Sequence, residues 1–249
     1  MDLGISGQAF VATAASRGLG FATASALAAE GARVLIVARE RKGVDDAVAS
    51  LPGQSCGLSV DLADPASADV IAEQARQTFG TIAGALINVG GPPAGRALDY
   101  SDDQWALAVD SVLLASIRLV RALQPILADG ASVLFVLSST AKEPIAVLGA
   151  SNVLRPGLAM LVKDLAGQLA DRSIRVNGIL PGRIATDRLV ALYGDDESAR
   201  RTEEAAIPLG RFGTAAEFAR VAAFLLSPAA SYVTGTLVPV DGGLLRSPW

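Results

Sequence analysis

The sequence contains no histidine. That removes a Ser-His-Asp triad, an imidazole general base, an HExxH zinc site and an imidazole pH switch from the available chemistry. One cysteine, Cys56, leaves no internal disulfide, no CxxC redox pair and no cysteine zinc cluster, so no metal site is expected. Tyrosine is nearly as scarce, with only Tyr100, Tyr193 and Tyr232, so few groups can handle a proton. Charge is low as well: 18% of the 249 residues are charged, the net charge is −4, and no basic run marks a nucleic-acid partner. The longest uncharged run, residues 221–240, holds Pro228, Gly235 and Pro239 and reads poorly as a membrane span. Met1-Asp2-Leu3-Gly4 lacks a basic segment leading into an apolar one, so the expectation is a cytoplasmic protein without membrane attachment.

What is abundant is aliphatic surface. Apolar residues make up 51% of the chain, aromatics only 5%, and there are 25 glycines. This composition excludes a disordered chain and provides for a large aliphatic core with many close backbone approaches. Strand-like runs at residues 9–14, 33–38, 56–60, 85–89, 132–137, 174–180 and 236–240 alternate with Ala-rich helical stretches at 20–30, 65–79, 101–127, 152–170 and 214–226. Val34-Leu35-Ile36-Val37 is apolar on every residue, the pattern of a strand covered on both faces. Ser101-Asp102-Asp103-Gln104 and Thr214 followed by Glu217 read as helix-starting capping signals. The alternation predicts an α/β fold: one Rossmann-type, doubly wound parallel sheet of about seven strands with helices on both faces, residues 1–249 forming a single domain. Residues 184–211 break the rhythm with a polar, charged stretch and read as a mobile lid at the ligand-binding edge; a solvated helical hairpin is the compatible alternative.

The first strand runs into Thr13-Ala14-Ala15-Ser16-Arg17-Gly18-Leu19-Gly20 and then a helix. Glycines at such a turn let the backbone approach a pyrophosphate, and the helix N-terminus stabilises its charge. Here the sequence resembles the short-chain dehydrogenase/reductase family, whose T-G-x-x-x-G-x-G motif is matched except for Ala14. The resemblance continues through Leu86-Ile87-Asn88-Val89-Gly90, through Ile174-Arg175-Val176-Asn177 with Pro181-Gly182, and through Leu209-Gly210-Arg211-Phe212-Gly213 to Val240-Asp241-Gly242-Gly243. It implies a dinucleotide site formed by Thr13, Ala15, Ser16, Arg17, Gly18, Leu19, Gly20, Asp61, Leu62, Asn88, Gly90, Pro181, Gly182, Ile184 and Thr186. In that site Asp61 would contact adenine, Asn88 and Gly90 the adenosine ribose, and Ile184 and Thr186 the nicotinamide amide; Asp61 and Thr186 also suit turn and cap roles. The second strand ends Val37-Ala38-Arg39, without the acid that would bind a ribose 2′-hydroxyl. Arg39, with Arg17 from the glycine loop, suits a 2′-phosphate, so NADP(H) is expected over NAD(H); two solvated arginines are the alternative.

The resemblance also implies a catalytic set, and there this chain departs from it. The family uses a Tyr phenol as proton donor, a Lys four residues later, a Ser after the fifth strand and an Asn in the preceding helix. Ser139 takes the Ser position, with Ser138 one residue off. The Tyr-x-x-x-Lys register falls on Ser151-Asn152-Val153-Leu154-Arg155, and the Asn position on Val112. Residues at i and i+4 share a helix face, so Ser151 and Arg155 still point together, and Arg155 could bind the nicotinamide ribose. A Ser hydroxyl is a far weaker acid than a phenol of pKa about 10. A direct exchange therefore forfeits much of the roughly 10²–10⁴-fold gain of acid–base catalysis. Tyr193, Tyr100, Lys142, Glu143 or a water held by Ser139 and Ser151 are conceivable substitutes, each equally a surface or packing group. Gly90-Gly91-Pro92-Pro93-Ala94-Gly95 reads as a stiff turn walling the pocket.

Three readings follow. The leading one is an NADP(H)-dependent oxidoreductase moving a hydride to or from a small carbonyl or alcohol substrate, with Ser139, Ser151 and Arg155 as catalytic candidates. The second is a family member that binds NADP(H) as a sensor or interaction protein without turnover. The third is elimination or isomerisation on the same scaffold. The resemblance further implies a homotetramer or homodimer associating through helices 101–127 and 152–170.

Overall fold

The computed structural model describes residues 2–186 and 197–247. Its centre is a seven-stranded sheet built from β1 (Ala9–Thr13), β2 (Arg33–Ala38), β3 (Cys56–Ser59), β4 (Ile82–Ile87), β5 (Leu127–Val136), β6 (Arg175–Pro181) and, after two short strands, β9 (Leu237–Val240). The order is β3-β2-β1-β4-β5-β6-β9, and every neighbouring pair is parallel. β7 (Ile184–Ala185) and β8 (Gly213–Thr214) form a separate small pair at the edge. The doubly wound parallel sheet expected from the alternation is what the chain forms.

Both faces are covered. On one side lie α3 (Ser67–Phe79), α4 (Asp102–Ala108), α5 (Ala115–Leu123) and α6 (Gly149–Gln168); on the other lie α1 (Gly18–Ala29), α2 (Arg41–Ser50) and α8 (Ala215–Leu226), while α7 (Glu197–Ala205) stands apart near the edge. Side chains of one strand alternate between the two cores: Leu35 and Val37 enter the first, Val34 and Ile36 the second. A strand buried on both faces needs an apolar residue at every position, and β2 has one.

Four elements differ from expectation. Helix α2 has no counterpart in the sequence pattern because its apolar positions are few: only Val44 and Ala47 are buried, and it starts without a side-chain cap. The long helix expected over residues 101–127 is interrupted. Val109–Leu114 winds as a π-helical turn between α4 and α5, and Gln124–Ile126 tightens into a 3₁₀ turn at Pro125. β5 begins at Leu127, five residues before the apolar run that marks it in the sequence, because its first part carries the half-exposed Ala128-Asp129-Gly130. α6 likewise starts at Gly149, three residues ahead of the pattern.

The winding direction fixes where a ligand fits. From β1 the chain travels outward to β2 and β3, then returns to β4 on β1's other side. Crossovers therefore leave in opposite directions at the C-terminal ends of β1 and β4, opening a crevice there.

Candidate active site

The glycine loop stands at that crevice. Thr13 closes β1 with no solvent exposure, its hydroxyl donating to the Asn88 carbonyl (2.7 Å) and accepting from the Asn88 amide (2.9 Å). Thr13 therefore stitches the ends of β1 and β4 from beneath and has no surface of its own to offer a ligand. The Asn88 side chain donates to the Ala14 carbonyl at 3.2 Å, tying the same ends from above. Ala15 is buried, with its amide on the Val37 carbonyl (3.1 Å). Ser16 and Leu19 are half-buried, Arg17 exposed.

Two glycines are required here for different reasons. Gly18 has φ +61°, and a side chain there would meet nothing within 4 Å, which is open space at the mouth of α1. At Gly20 a Cβ would lie 2.6 Å from the Ala14 carbonyl oxygen, so only glycine lets α1 leave this close to β1. Ala14 takes φ +46°, a conformation in which an L-residue is strained. The family motif has glycine at this position, and the backbone has kept the glycine conformation.

At the other end of the crevice, Arg39 follows β2 and is exposed, and neither its guanidinium nor that of Arg17 is ion-paired within the described residues. Nearby Arg41 and Lys42 are instead paired along their own helix with Asp45 and Asp46. Asp61 is exposed but partly committed to a turn: its Oδ1 accepts the Ala63 amide at 3.0 Å. Leu62 packs half-buried on the first core. Gly90 lies open, with nothing near a would-be Cβ. Pro181 and Gly182 end β6, and a Cβ on Gly182 would strike Asp241 at 2.6 Å. Ile184 is buried under Gly213, and Thr186 turns back with its amide on the Ile184 carbonyl (2.8 Å).

The reacting end is built on β5 and α6. After Val136 the chain enters a 3₁₀ turn, Ser139–Ala141, capped by the Ser138 hydroxyl. Ser139 is 7% exposed, and its hydroxyl makes no hydrogen bond within the described residues. Ser151, 8% exposed in the first turn of α6, is engaged: its Oγ lies 2.9 Å from the hydroxyl of Thr140. Thr140 is buried and also reaches the Ser151 carbonyl at 3.4 Å. Sequence reasoning misses Thr140, since a contact across eleven residues leaves no local pattern.

Arg155 is 6% exposed, and its Nη1 donates to the Val136 carbonyl at 3.0 Å. Nε is enclosed without a partner, Nη2 makes no hydrogen bond, and no carboxylate pairs with the group among the described residues. Burial pushes its pKa down to about 10, which still leaves it cationic at neutral pH. Val112 is fully buried within the π-helical turn, its carbonyl accepting the Ser116 hydroxyl at 2.7 Å.

Two of the conceivable substitutes for the phenol, Tyr100 and Glu143, have other work. The Tyr100 hydroxyl donates to the Pro93 carbonyl, holding the Gly-Pro-Pro turn, and its ring lies on Trp105 at 5.3 Å. The Glu143 carboxylate accepts the amides of Arg246 (2.8 Å) and Ser247 (2.5 Å), fastening the C-terminal segment over the loop after Ser139. Tyr193 lies outside the described residues. Of the expected lid, both flanks are anchored: β7 pairs with β8, and α7 is fastened by Arg183–Glu203 at 2.8 Å. Residues 187–196 between them lie outside the description. One apolar hollow of about 350 Å³ adjoins the reacting end, lined by Arg96, Ile145, Val147, Asn152 and Val153 among others. Asn152 holds it in shape, bonding both the amide and the carbonyl of Ile145.

The model of one known family, described as enoyl-(acyl carrier protein) reductase, matches residues 13–245. The 3-oxoacyl-[acyl-carrier-protein] reductase FabG of Salmonella typhimurium is 32% identical over 240 residues, covering 96% of this chain and 97% of its own. The chain belongs to the short-chain dehydrogenase/reductase family. Among solved structures, L-sorbose reductase from Gluconobacter frateurii, complexed with NADPH and L-sorbose, superposes with TM-score 0.94 at 30% identity, covering 99% of this chain and 100% of that one. An NADPH-bound short-chain oxidoreductase from Pseudomonas aeruginosa, described as containing an atypical catalytic center, gives 0.91 at 29% identity over 98% and 99%. Among the described residues no cluster of His, Cys, Asp and Glu could hold a metal ion, and no helix is long and apolar enough to cross a membrane.

Proposed function

We propose that this short-chain dehydrogenase/reductase is an NADP(H)-dependent oxidoreductase acting on a small carbonyl or alcohol substrate. The crevice fits the cofactor: Gly18 opens onto free space at the α1 N-terminus, Gly20 keeps the backbone close, and Gly90 leaves the ribose side clear. When bound, the nicotinamide supplies or accepts a hydride. The observation that carries the choice of NADP(H) is the pair Arg17 and Arg39, both exposed, both without an ion pair among the described residues, beside a β2 that leads into a cation rather than an acid. Structural relatives bound to NADPH support the same reading.

At the reacting end the Ser139 hydroxyl is free to hydrogen-bond a substrate oxygen. Arg155 would hold the nicotinamide ribose and keep a positive charge beside it. Ser151 contributes through Thr140 rather than as an acid. We also place a homo-oligomeric interface on α4 to α6, where Leu107, Leu114, Val153 and Met160 are exposed.

Fluorescence titration tests the cofactor reading. Arg17→Ala with Arg39→Ala should weaken NADPH binding by roughly 10–100-fold, the worth of one or two charge-assisted hydrogen bonds, and leave NADH binding unchanged. Equal affinities for NADPH and NADH in the wild type would overturn it. One observation favours a second reading, a cofactor-binding protein without turnover: the Ser151 hydroxyl, at the phenol's position, is occupied by Thr140.

A further inference from the structure

We infer that Lys142 is the proton donor of this site, the group that serves where the family has its phenol. The inference rests on the hydride-transfer reading above and adds to it the residue that completes the reduction.

Reduction at a carbonyl carbon leaves negative charge on the oxygen, and a positioned acid must quench it as it forms. Few side chains of this protein can do so at neutral pH. There is no histidine, one cysteine, three tyrosines and three lysines, and guanidinium groups keep their protons. Most of these stand elsewhere or are occupied. Cys56 lies in β3, at the outer edge of the sheet. Tyr232 lies on the approach to β9, at the sheet edge opposite the crevice. The Tyr100 hydroxyl is held by the Pro93 carbonyl. Lys42 pairs with Asp46 along α2 at 2.6 Å. Lys163 lies far along α6 from Ser151, beside Gly235.

Lys142 differs from all of these. It ends the 3₁₀ turn that carries Ser139, and its amide closes that turn on the Ser139 carbonyl at 3.0 Å. Side chains three residues apart on a 3₁₀ turn eclipse, so Lys142 and Ser139 project from the same side. The residues between them face elsewhere: Thr140 meets the Ser151 hydroxyl at 2.9 Å, and Ala141 packs on the first core. The lysine is half-buried, and its ammonium has no hydrogen bond or ion pair among the described residues. The adjacent Glu143 carboxylate is turned instead to the Arg246 and Ser247 amides.

A primary ammonium and a phenol are acids of nearly equal strength, with pKa values of about 10.4 and 10. The exchange therefore moves the acid from α6 to the Ser139 turn without weakening it. An ammonium also brings positive charge, which stabilises the negative charge growing on the oxygen before the proton moves. In the step, the carbonyl carbon gains a hydride from the reduced nicotinamide, and the π pair of the C=O bond takes a proton from the Lys142 Nζ. One C–H bond of the cofactor and one N–H bond break; one C–H and one O–H bond of the product form. Lys142 is left as a neutral amine and regains its proton from water. Ser139 hydrogen-bonds the same oxygen throughout.

The test follows NADPH oxidation with a panel of small aldehydes and ketones by the wild type, Lys142→Met, Lys142→Ala and Tyr193→Phe. Lys142→Met should lose about 100-fold or more in kcat/KM, the worth of a general acid, with NADPH affinity by fluorescence within threefold of the wild type. Tyr193→Phe should keep its rate within threefold. Ethylamine or propylamine in the buffer should raise the rate of Lys142→Ala at least tenfold, because the free amine enters the vacated place and supplies the proton. Lys142→Met within tenfold of the wild type, or a loss in Lys142→Ala that neither amine restores, overturns the inference and leaves the oxidoreductase reading standing. A wild type that binds NADPH and turns over no acceptor overturns both. Labelling gives a readout apart from turnover. Reductive methylation mapped by mass spectrometry should modify Lys142 at least fivefold more slowly in the complex of NADPH with the best acceptor's alcohol product than in the free protein, with exposed Lys163 unchanged. Equal rates at Lys142 in the two states contradict its place beside the substrate oxygen.

Discussion

Arg155 and Ala14 are two residues of the site whose local energetics run against the fold. Burial of the Arg155 guanidinium lowers its pKa well below the ordinary arginine value, to about 10. A shift of that size corresponds to about 3 kcal/mol. Replacing a poorly compensated buried charge with an apolar side chain of similar size commonly stabilises a protein. Arg155→Met is therefore expected to raise stability by roughly 1–2 kcal/mol in a urea titration while reducing turnover, a trade expected of a functional charge. A loss of stability would instead make the Val136 hydrogen bond the residue's main role. Ala14 is strained at φ +46°, so Ala14→Gly should gain about 0.5–1 kcal/mol, the relief of left-handed strain less the entropy cost of glycine. Its measure is the same titration with the cofactor absent. At this scale the sequence is only half legible. That Ser151 and Arg155 replace Tyr and Lys can be counted from the register; that Ser151 is held by Thr140 and that Arg155 has no counter-ion among the described residues cannot, because both depend on contacts across the fold.

Elements with strong local signals are legible in the sequence. The capping box at α8 is an example: the Thr214 hydroxyl accepts the Glu217 amide, and the Glu217 carboxylate accepts the Thr214 amide at 2.8 Å. Arg211 adds a bidentate pair, and these bonds bring the Glu217 pKa down to about 2. A carboxylate whose folded pKa is depressed adds stability that is full above its unfolded pKa, about 4.3. That contribution fades as pH falls from there towards 2. The thermal midpoint of the wild type should thus exceed that of Glu217→Gln at pH 6, and the difference should shrink through this window; a constant difference would show that charge is not involved. Elements whose signals are weak or tertiary are not legible. α2 has two buried positions in ten residues, and no periodicity announces the π-helical turn at Val109–Leu114. That turn keeps a distortion in the helix carrying Val112, at the position where the family has Asn.

Over the whole molecule, the parallel sheet covered on both faces follows from alternation and run length, whereas the strand order and the switch between β1 and β4 are seen only in the folded chain. The site is readable as a place and incompletely as chemistry. Glycine positions, β2 leading into Arg39 and the Ser139 turn are visible, whereas Thr13, Asn88 and Asp61 prove to be spent wholly or partly on holding the crevice together. Assembly belongs to this scale too. Val153 and Met160 lie seven residues apart on one exposed stripe of α6, with Leu107 and Leu114 spaced likewise across α4 and the turn after it. Light scattering should find a dimer or tetramer, and Val153→Glu with Met160→Glu should shift it towards monomer; a wild-type monomer would rule out this interface.

Everything at the reacting end depends on hydride transfer surviving without the phenol. Steady-state NADPH oxidation across a panel of small aldehydes and ketones, by the wild type, Ser139→Ala and the Ser151→Tyr/Arg155→Lys double variant, tests it most directly. Turnover by the wild type that falls about 100-fold in Ser139→Ala is the predicted result, in line with the loss of one preorganised donor. A wild type with no turnover, beside a double variant that acquires it, would contradict the claim.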